Sequence, residues 1–221
     1  MRAVQPFMRF RPSTIFLKNR TMNHSVKLVE KTFLHGVANA IYIVQTKNSG
    51  SVYMRVSRTN YMNEERAVVI VDTVKFLSLW RKGAGPVWRG MWHRLVDSSL
   101  RAFNPNMPAR DQWLPYLSVS AWRKDYKFSS AEEGFSNGKE NPVPLAEIGY
   151  SNYPTSSVRF TNGITRTIWL IANGATAFPV RCHMESANIL QHYAGVEWSQ
   201  PISVEQLTGH LSWGDWIVSQ Q

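Results

Sequence analysis

Residues 159–182, RFTNGITRTIWLIANGATAFPVRC, constrain the architecture more tightly than any other stretch of the chain. A short apolar strand runs into Asn162-Gly163, a pair suited to a left-handed turn. Ile164, Ile168 and Ile171 then recur at i, i+4 and i+7, which predicts a helix over 164–173 with one buried stripe. Gly174 is a good left-handed terminator for that helix, and FPVRC returns the chain as a strand. A strand–glycine–helix junction presents free backbone N–H groups, a natural cradle for an anion. Arg166 sits in the first turn, where a cation opposes the helix dipole unless something negative uses it. Two explanations follow. Arg166 pairs with a carboxylate such as Glu147 and locks the sheet, or Asn162, Gly163, Thr165 and Arg166 together hold an anionic ligand.

The rest of the chain supplies strands and helices in mixed order. VANAIYIVQ (37–45) and SVYMRVS (51–57) flank the turn-rich Lys47-Asn48-Ser49-Gly50, a hairpin pattern. AVVIV (67–71) is a continuous apolar run, as expected of a strand covered on both faces. Asp72 stands at the N-cap of a helix beginning TVKFLSLWR. VWRGMWHRLVDSSLRAF (87–103) predicts a second helix, and PVPLAEI (142–148) an edge or entry strand with prolines at its start. SVRF (157–160) is a short strand. ESANILQHYA followed by Gly195 repeats the helix-then-glycine design, and Ser203 starts a short helix ahead of Trp213 and Trp216. Together these predict an α+β protein: one domain over 22–221, with a mixed β-sheet flanked by helices and an N-terminal hairpin and helical extension.

Of the net charge of +10, five units lie in residues 1–21, where Arg2, Arg9, Arg11, Lys18 and Arg20 meet no acid. That segment reads as a flexible basic leader without the apolar run of a secretory signal. Its removal weakens the case for nucleic acid that the basic total makes. Cys182 is the single cysteine, which excludes an internal disulfide and fits a reducing compartment. In a strand beside Pro179-Val180 it reads as a buried inert thiol rather than a nucleophile. No run of about 18 apolar residues predicts a membrane span.

Catalytic patterns are missing from the sequence. The six histidines show no HxxxH or HExxH spacing, so no metal site is expected. Neither GxSxG nor a P-loop occurs, and the acids have no spacing that proposes an acid/base pair. Between Asn104 and Asn141, prolines punctuate an irregular stretch in which aromatics alternate with cations. Trp113, Trp122, Tyr126 and Phe135 interleave there with Arg123, Lys124 and Lys127. Such a stretch either stacks on bases and holds phosphates, or anchors a long loop to the body of the domain. Because a long loop inside a compact domain usually has a function, these residues are also the candidate partner-binding surface.

PVPLAEI, a strand ending in Gly163-x-x-Arg166, a helix, Asn173-Gly174 and the FPV strand resemble the ParB/sulfiredoxin fold. In that fold the G-x-x-R turn opens a helix and its arginine binds nucleotide phosphate. More narrowly, KFLSLWR (75–81), GFSNGKENPVPLAEI (134–148) and NGITRTIWLIANGATAFPV (162–180) resemble the plasmid fertility inhibition factors, which block transfer of a co-resident conjugative plasmid. The resemblance implies a non-enzymatic inhibitor in the bacterial cytoplasm that binds the type IV coupling protein of the target plasmid. It implies no cofactor other than an open place for nucleotide. Two departures stand out. Ile164 replaces the reactive cysteine of sulfiredoxins, which excludes a sulfinic-acid reductase, and Thr165 replaces a second arginine common in ParB proteins. No helix-turn-helix follows, so DNA partitioning is not expected. The alternative on the same fold is a nucleotide-dependent or DNA-cleaving enzyme, and DNA binding through the leader and the aromatic stretch is less favoured.

Overall fold

A computed structural model describes residues 24–34, 36–58, 65–83, 110–151 and 156–209. The basic leader, the helix expected over 87–103 and the C-terminal tryptophans lie outside these residues. Two mixed sheets organise the described chain. The first has the order β1 (Val26–Leu34), β2 (Val37–Thr46), β3 (Gly50–Ser57) and β5 (Val143–Pro144). The expected hairpin is therefore the centre of a meander: β1, β2 and β3 run antiparallel, and β5 joins β3 in parallel. The second sheet has the order β7 (Ser157–Asn162), β6 (Ala146–Ser151), β8 (Ala177–His183), β4 (Arg66–Asp72) and β9 (Ile202–Ser203). Its central pairs are β4 antiparallel to β8 and β6 parallel to β8.

PVPLAEI is where the chain changes sheets, so the single edge or entry strand expected there is two: β5 at the edge of the first sheet and the start of β6 in the second. Val143-Pro144 pairs with Met54-Arg55 in the first sheet, and Ala146-Glu147 pairs with Val180-Arg181 in the second. Leu145 lies between them, and its N–H donates to the Arg55 carbonyl at 2.8 Å. Proline at residue 144 fits because a two-residue edge strand has no further partner for the missing N–H.

Local signals account for the helices. Asp72 Oδ1 accepts from the N–H groups of Val74 and Lys75 at 3.0 and 2.9 Å, capping α1 (Thr73–Gly83) as expected. The α1 side chains Phe76 and Trp80 pack with Phe160 and Phe178 in an aromatic cluster against the second sheet. On that sheet β4 is buried along Ala67–Val71, the doubly covered strand its composition predicts. Helix α6 (Met184–Ala194) packs against β4 and α1, and α7 (Val204–Thr208) starts with a reciprocal Ser203–Gln206 capping box. Gly195 is not a left-handed terminator; its φ is −70° and it bridges to Val71. The Gln191 amide lies across it, 2.3 Å from where a Cβ would stand, and donates to the carbonyls of Val196 and Ser199, so a larger residue here would displace that amide.

The segment expected to be an irregular aromatic loop is helical where described. Helix α2 (Arg110–Trp113) runs into a 3₁₀ turn (Leu114–Tyr116), followed by α3 (Val119–Arg123) and α4 (Phe128–Ser136). These turns drive their aromatics inward: Trp113, Trp122 and Phe135 are 4%, 2% and 5% exposed. Trp122 Nε1 donates to the Leu114 carbonyl at 2.7 Å, and Phe135 stacks on Trp169 of α5 (Ile164–Ala172) at 4.3 Å. Three of the seven residues predicted for a binding face are thus core. The short elements hold because their polar ends are satisfied locally, Ser118 capping α3 and Asp125 accepting from the Lys127 N–H.

Burial pushes the Cys182 thiol up to about 12, against a smaller opposing pull from Arg66. A thiol in that state exposes almost no thiolate at neutral pH, so iodoacetamide is expected to label Cys182 only after unfolding, as read by intact mass. Replacing a buried tryptophan by alanine costs about 3–5 kcal/mol, whereas an exposed position costs under about 0.5 kcal/mol. Chemical denaturation of Trp122→Ala and Tyr126→Ala is expected to separate the two in that way.

Candidate functional site

Gly163 initiates α5 with φ +87°, the left-handed conformation expected for the strand-to-helix turn, and no side chain caps the helix start. A Cβ at Gly163 would stand 2.6 Å from the Ala146 Cα and 2.8 Å from Arg166 Nη2. The glycine thus lets the first turn of α5 lie directly on the residue where the chain enters the second sheet. Arg166 leaves that turn over the crossing between the sheets. There it lines a partly enclosed pocket of about 180 Å³ together with Arg55, Glu147, Asn162 and Arg181, walled by Pro144 and Leu145.

The pairing of Arg166 with Glu147, one of the two sequence explanations, does not occur. Glu147 is held from two other sides: Arg181 Nη2 lies 2.7 Å from Oε2 and Arg66 Nη1 lies 3.5 Å from Oε1. Parallel register explains the first bond, since Glu147 and Arg181 are direct partners across β6 and β8. Arg166 itself makes no hydrogen bond or ion pair among the described residues. Burial chiefly, then the neighbouring charges of Arg181 and Arg55, push its guanidinium below its ordinary value. Arginine nonetheless stays protonated in proteins, so the pocket contains a half-buried cation, unpaired among the described residues, beside two more.

Arg55 reaches the pocket from β3 and is rigidly supported. Its Nε donates to the Pro142 carbonyl at 3.1 Å, and its Nη1 donates to Ser57 Oγ at 3.0 Å and Asn39 Oδ1 at 3.3 Å. Asn39 is fully buried, accepts from Ser57 Oγ at 2.5 Å and donates to the Val37 carbonyl at 2.6 Å. Arg55 and Arg181 went unnoticed in the sequence reading. The available signals were weak: an arginine interrupting the buried FPV-C run of β8, and Arg55 alternating with the buried Val52, Met54 and Val56 of β3.

Of the four residues proposed at the turn, Asn162 and Arg166 line the pocket and Gly163 shapes it. Thr165 turns away; its Oγ1 accepts from Arg110 Nη1 at 3.4 Å. Arg110 also pairs with the buried Asp125 at 2.7 Å and lies over the Tyr126 ring at 5.4 Å. Of the partner-face candidates, Arg123, Lys124, Tyr126 and Lys127 remain at the surface. Arg123 is partly committed, donating to the Ala172 carbonyl at 2.9 Å at the end of α5. Lys127 Nζ lies 5.4 Å from the centre of the Tyr126 ring, which is 56% exposed. Among the described residues no three His, Cys, Asp or Glu side chains come together in a metal-binding arrangement, and no helix is long and apolar enough to cross a membrane.

The chain is 39% identical over 90 residues to Protein osa of Shigella flexneri, a match covering 38% of this chain and 44% of that protein, less than half its length. The crystal structure of the oncogenic suppression activity protein, described as a plasmid fertility inhibition factor, is 24% identical and shares the fold. That likeness has a TM-score of 0.58 and covers 84% of this chain and 81% of the other. The pattern of the family described as plasmid fertility inhibition factor matches residues 68–195, more than half of the chain, from within β4 to the end of α6. The chain belongs to the plasmid fertility inhibition factor family.

Proposed function

We propose that this protein acts in the bacterial cytoplasm to lower conjugative transfer of a co-resident plasmid, and that its arginine pocket serves that role by holding a phosphate group of a nucleotide or of DNA. The observation that carries the second half is the uncompensated cation. Glu147 is shared by Arg181 and Arg66, while Arg166 lies half-buried beside Arg55 and Arg181 without an acceptor among the described residues. A partly desolvated charge without a partner is unfavourable for a fold, and such groups cluster at functional sites. The role assigned to the pocket is binding. A cleavage step is not assigned to it, because its single carboxylate is already held by two guanidinium groups.

A second reading has its own observation. The exposed Tyr126 and Lys127 form an aromatic–cation cluster, with the half-buried Arg110 over the same ring and the exposed Lys124 nearby in sequence. Tyrosine and arginine dominate the energetics of protein interfaces, and this cluster suits an acidic patch on a type IV coupling protein. Contact there would inhibit transfer without any enzymatic step.

The two readings separate experimentally. Arg166→Met is expected to weaken binding of ATP or of single-stranded DNA by about tenfold or more, the value of a charge-assisted contact, in titrations at fixed ionic strength. Its melting temperature is expected to equal or exceed that of the unmodified chain, since an unpaired charge has been removed. A lowered melting temperature with unchanged affinity would return Arg166 to a structural role. For the second reading, Tyr126→Ala combined with Lys127→Glu is expected to abolish co-purification with the coupling protein of a susceptible plasmid while leaving phosphate binding intact. Normal plasmid transfer from donors expressing the unmodified chain, across several plasmid groups, would overturn the inhibitor itself.

A further inference from the structure

We infer that a separate pocket, between the first sheet and β4, binds a small uncharged aromatic molecule, and that the Tyr42 hydroxyl donates to an acceptor oxygen on it. This pocket shares no lining residue with the arginine pocket, so the inference stands apart from phosphate binding.

Strand pairing decides which side chains meet there. Leu28 of β1 stands directly opposite Tyr42 of β2, and Ile202 of β9 directly opposite Val68 of β4. Opposed residues of antiparallel strands share a face. Both pairs therefore border the space between the sheets, with Ile70 two positions along β4 and Leu207 of α7 beside them. His24 and Trp198 stack over that space, their ring centroids 4.3 Å apart and their planes 25° apart. The result is a partly enclosed cavity of about 360 Å³, at the lower end of the roughly 300–1,000 Å³ that holds small ligands. Leu28, Trp198 and Ile202 are exposed although apolar, and all three line this one cavity. Apolar surface gathered in this way marks a binding site rather than scattered exposure.

Tyr42 gives the apolar cleft a chemical preference. The residue is 3% exposed, and its hydroxyl makes no hydrogen bond among the described residues. That oxygen is not sealed in as the Tyr150 hydroxyl is, so it opens on the pocket the residue lines. Burial pushes the phenol well above its ordinary value, which keeps it a neutral O–H donor. A buried donor without an acceptor is unfavourable, and a ligand oxygen relieves it.

The lining sets the charge of the ligand. Among the described residues no carboxylate lines the pocket, and Lys27 alternates to the other face of β1, opposite Ile43. An anionic group beside Tyr42 would lie in apolar surroundings with no cation to pair with. A ketone, ester or ether oxygen meets the Tyr42 proton without that cost. The stacked rings above favour a flat aromatic body.

Ligand-observed NMR titrations of the full chain test this with three probes of similar shape: acetylnaphthalene, ethylnaphthalene and naphthoate. Acetylnaphthalene is expected to bind, and naphthoate to bind more weakly. Tyr42→Phe is expected to weaken acetylnaphthalene about three- to tenfold while leaving ethylnaphthalene unchanged or tighter. Trp198→Ala is expected to weaken both. Comparing two ligands on the same variant cancels any general effect of the substitution on the fold. No binding of either neutral probe up to its solubility overturns the site. Binding indifferent to Trp198→Ala puts the probes elsewhere and overturns it too. Equal effects of Tyr42→Phe on the two neutral probes overturn the donor role of Tyr42. Naphthoate binding as tightly as acetylnaphthalene overturns the preference for an uncharged ligand. Should Trp198→Ala melt early, Ile202→Trp at the exposed rim fills the mouth without emptying the core, and failure to block both neutral probes overturns the site.

Discussion

The approach of Gly163 to Ala146 sets the geometry on which the rest of the site depends. With a Cβ excluded at 2.6 Å from the Ala146 backbone and a φ of +87°, no other residue type fits the turn without strain. Because Ala146 is the first residue of β6, the start of α5 is pinned to the point where the chain leaves the first sheet for the second. That point lies beside Arg55, through the Leu145 N–H to its carbonyl, and beside Arg181, through parallel pairing with Glu147. One close contact thus gathers arginines from β3, α5 and β8.

Much of this was legible in the sequence. The left-handed turn at Gly163, the Asp72 cap, the hairpin around Gly50 and the Ser203 helix start are all local: the residues that signal them lie within a few positions of the structure they cause. Gly195 ends α6 as the helix-then-glycine pattern expects, but with an ordinary φ of −70° and the Gln191 side chain folded back over it, which no backbone pattern announces. The arginine pocket was only half visible for a similar reason. Arg166 opposes the α5 dipole and so attracts notice, but Arg55 and Arg181 meet it only once two sheets are joined, and nothing near either in sequence implies that meeting.

The aromatic segment failed differently. Tryptophan and phenylalanine alternating with cations describe both a stacking surface and a set of short helices whose apolar sides face inward. Periodicity cannot separate the two over helices of four, five and nine residues. Packing decides it: Trp122 finds the Leu114 carbonyl for its indole N–H, and Phe135 finds Trp169. Burial consumes the aromatics and leaves the cations outside, with Tyr126 as the exposed ring among the named candidates. The surface available to a partner is accordingly smaller and more charged than the composition of the segment suggests, so association there would depend on ionic strength more than on buried apolar area.

The two proposed surfaces are mechanically connected. Arg110 touches Thr165 in the first turn of α5, pairs with Asp125 and lies over Tyr126, while Arg123 holds the carbonyl of Ala172 at the other end of the same helix. Helix α5 is therefore clamped at both ends by the segment that carries the exposed cluster, and its first turn carries Arg166. An anion entering the pocket would neutralise the repulsion among Arg55, Arg166 and Arg181 and so stabilise that first turn. Through Thr165 and Arg110, the same stabilisation would reach the position of Tyr126. A phosphate ligand and a protein partner would then favour one arrangement of α5, and by linkage each would tighten the other to the same degree.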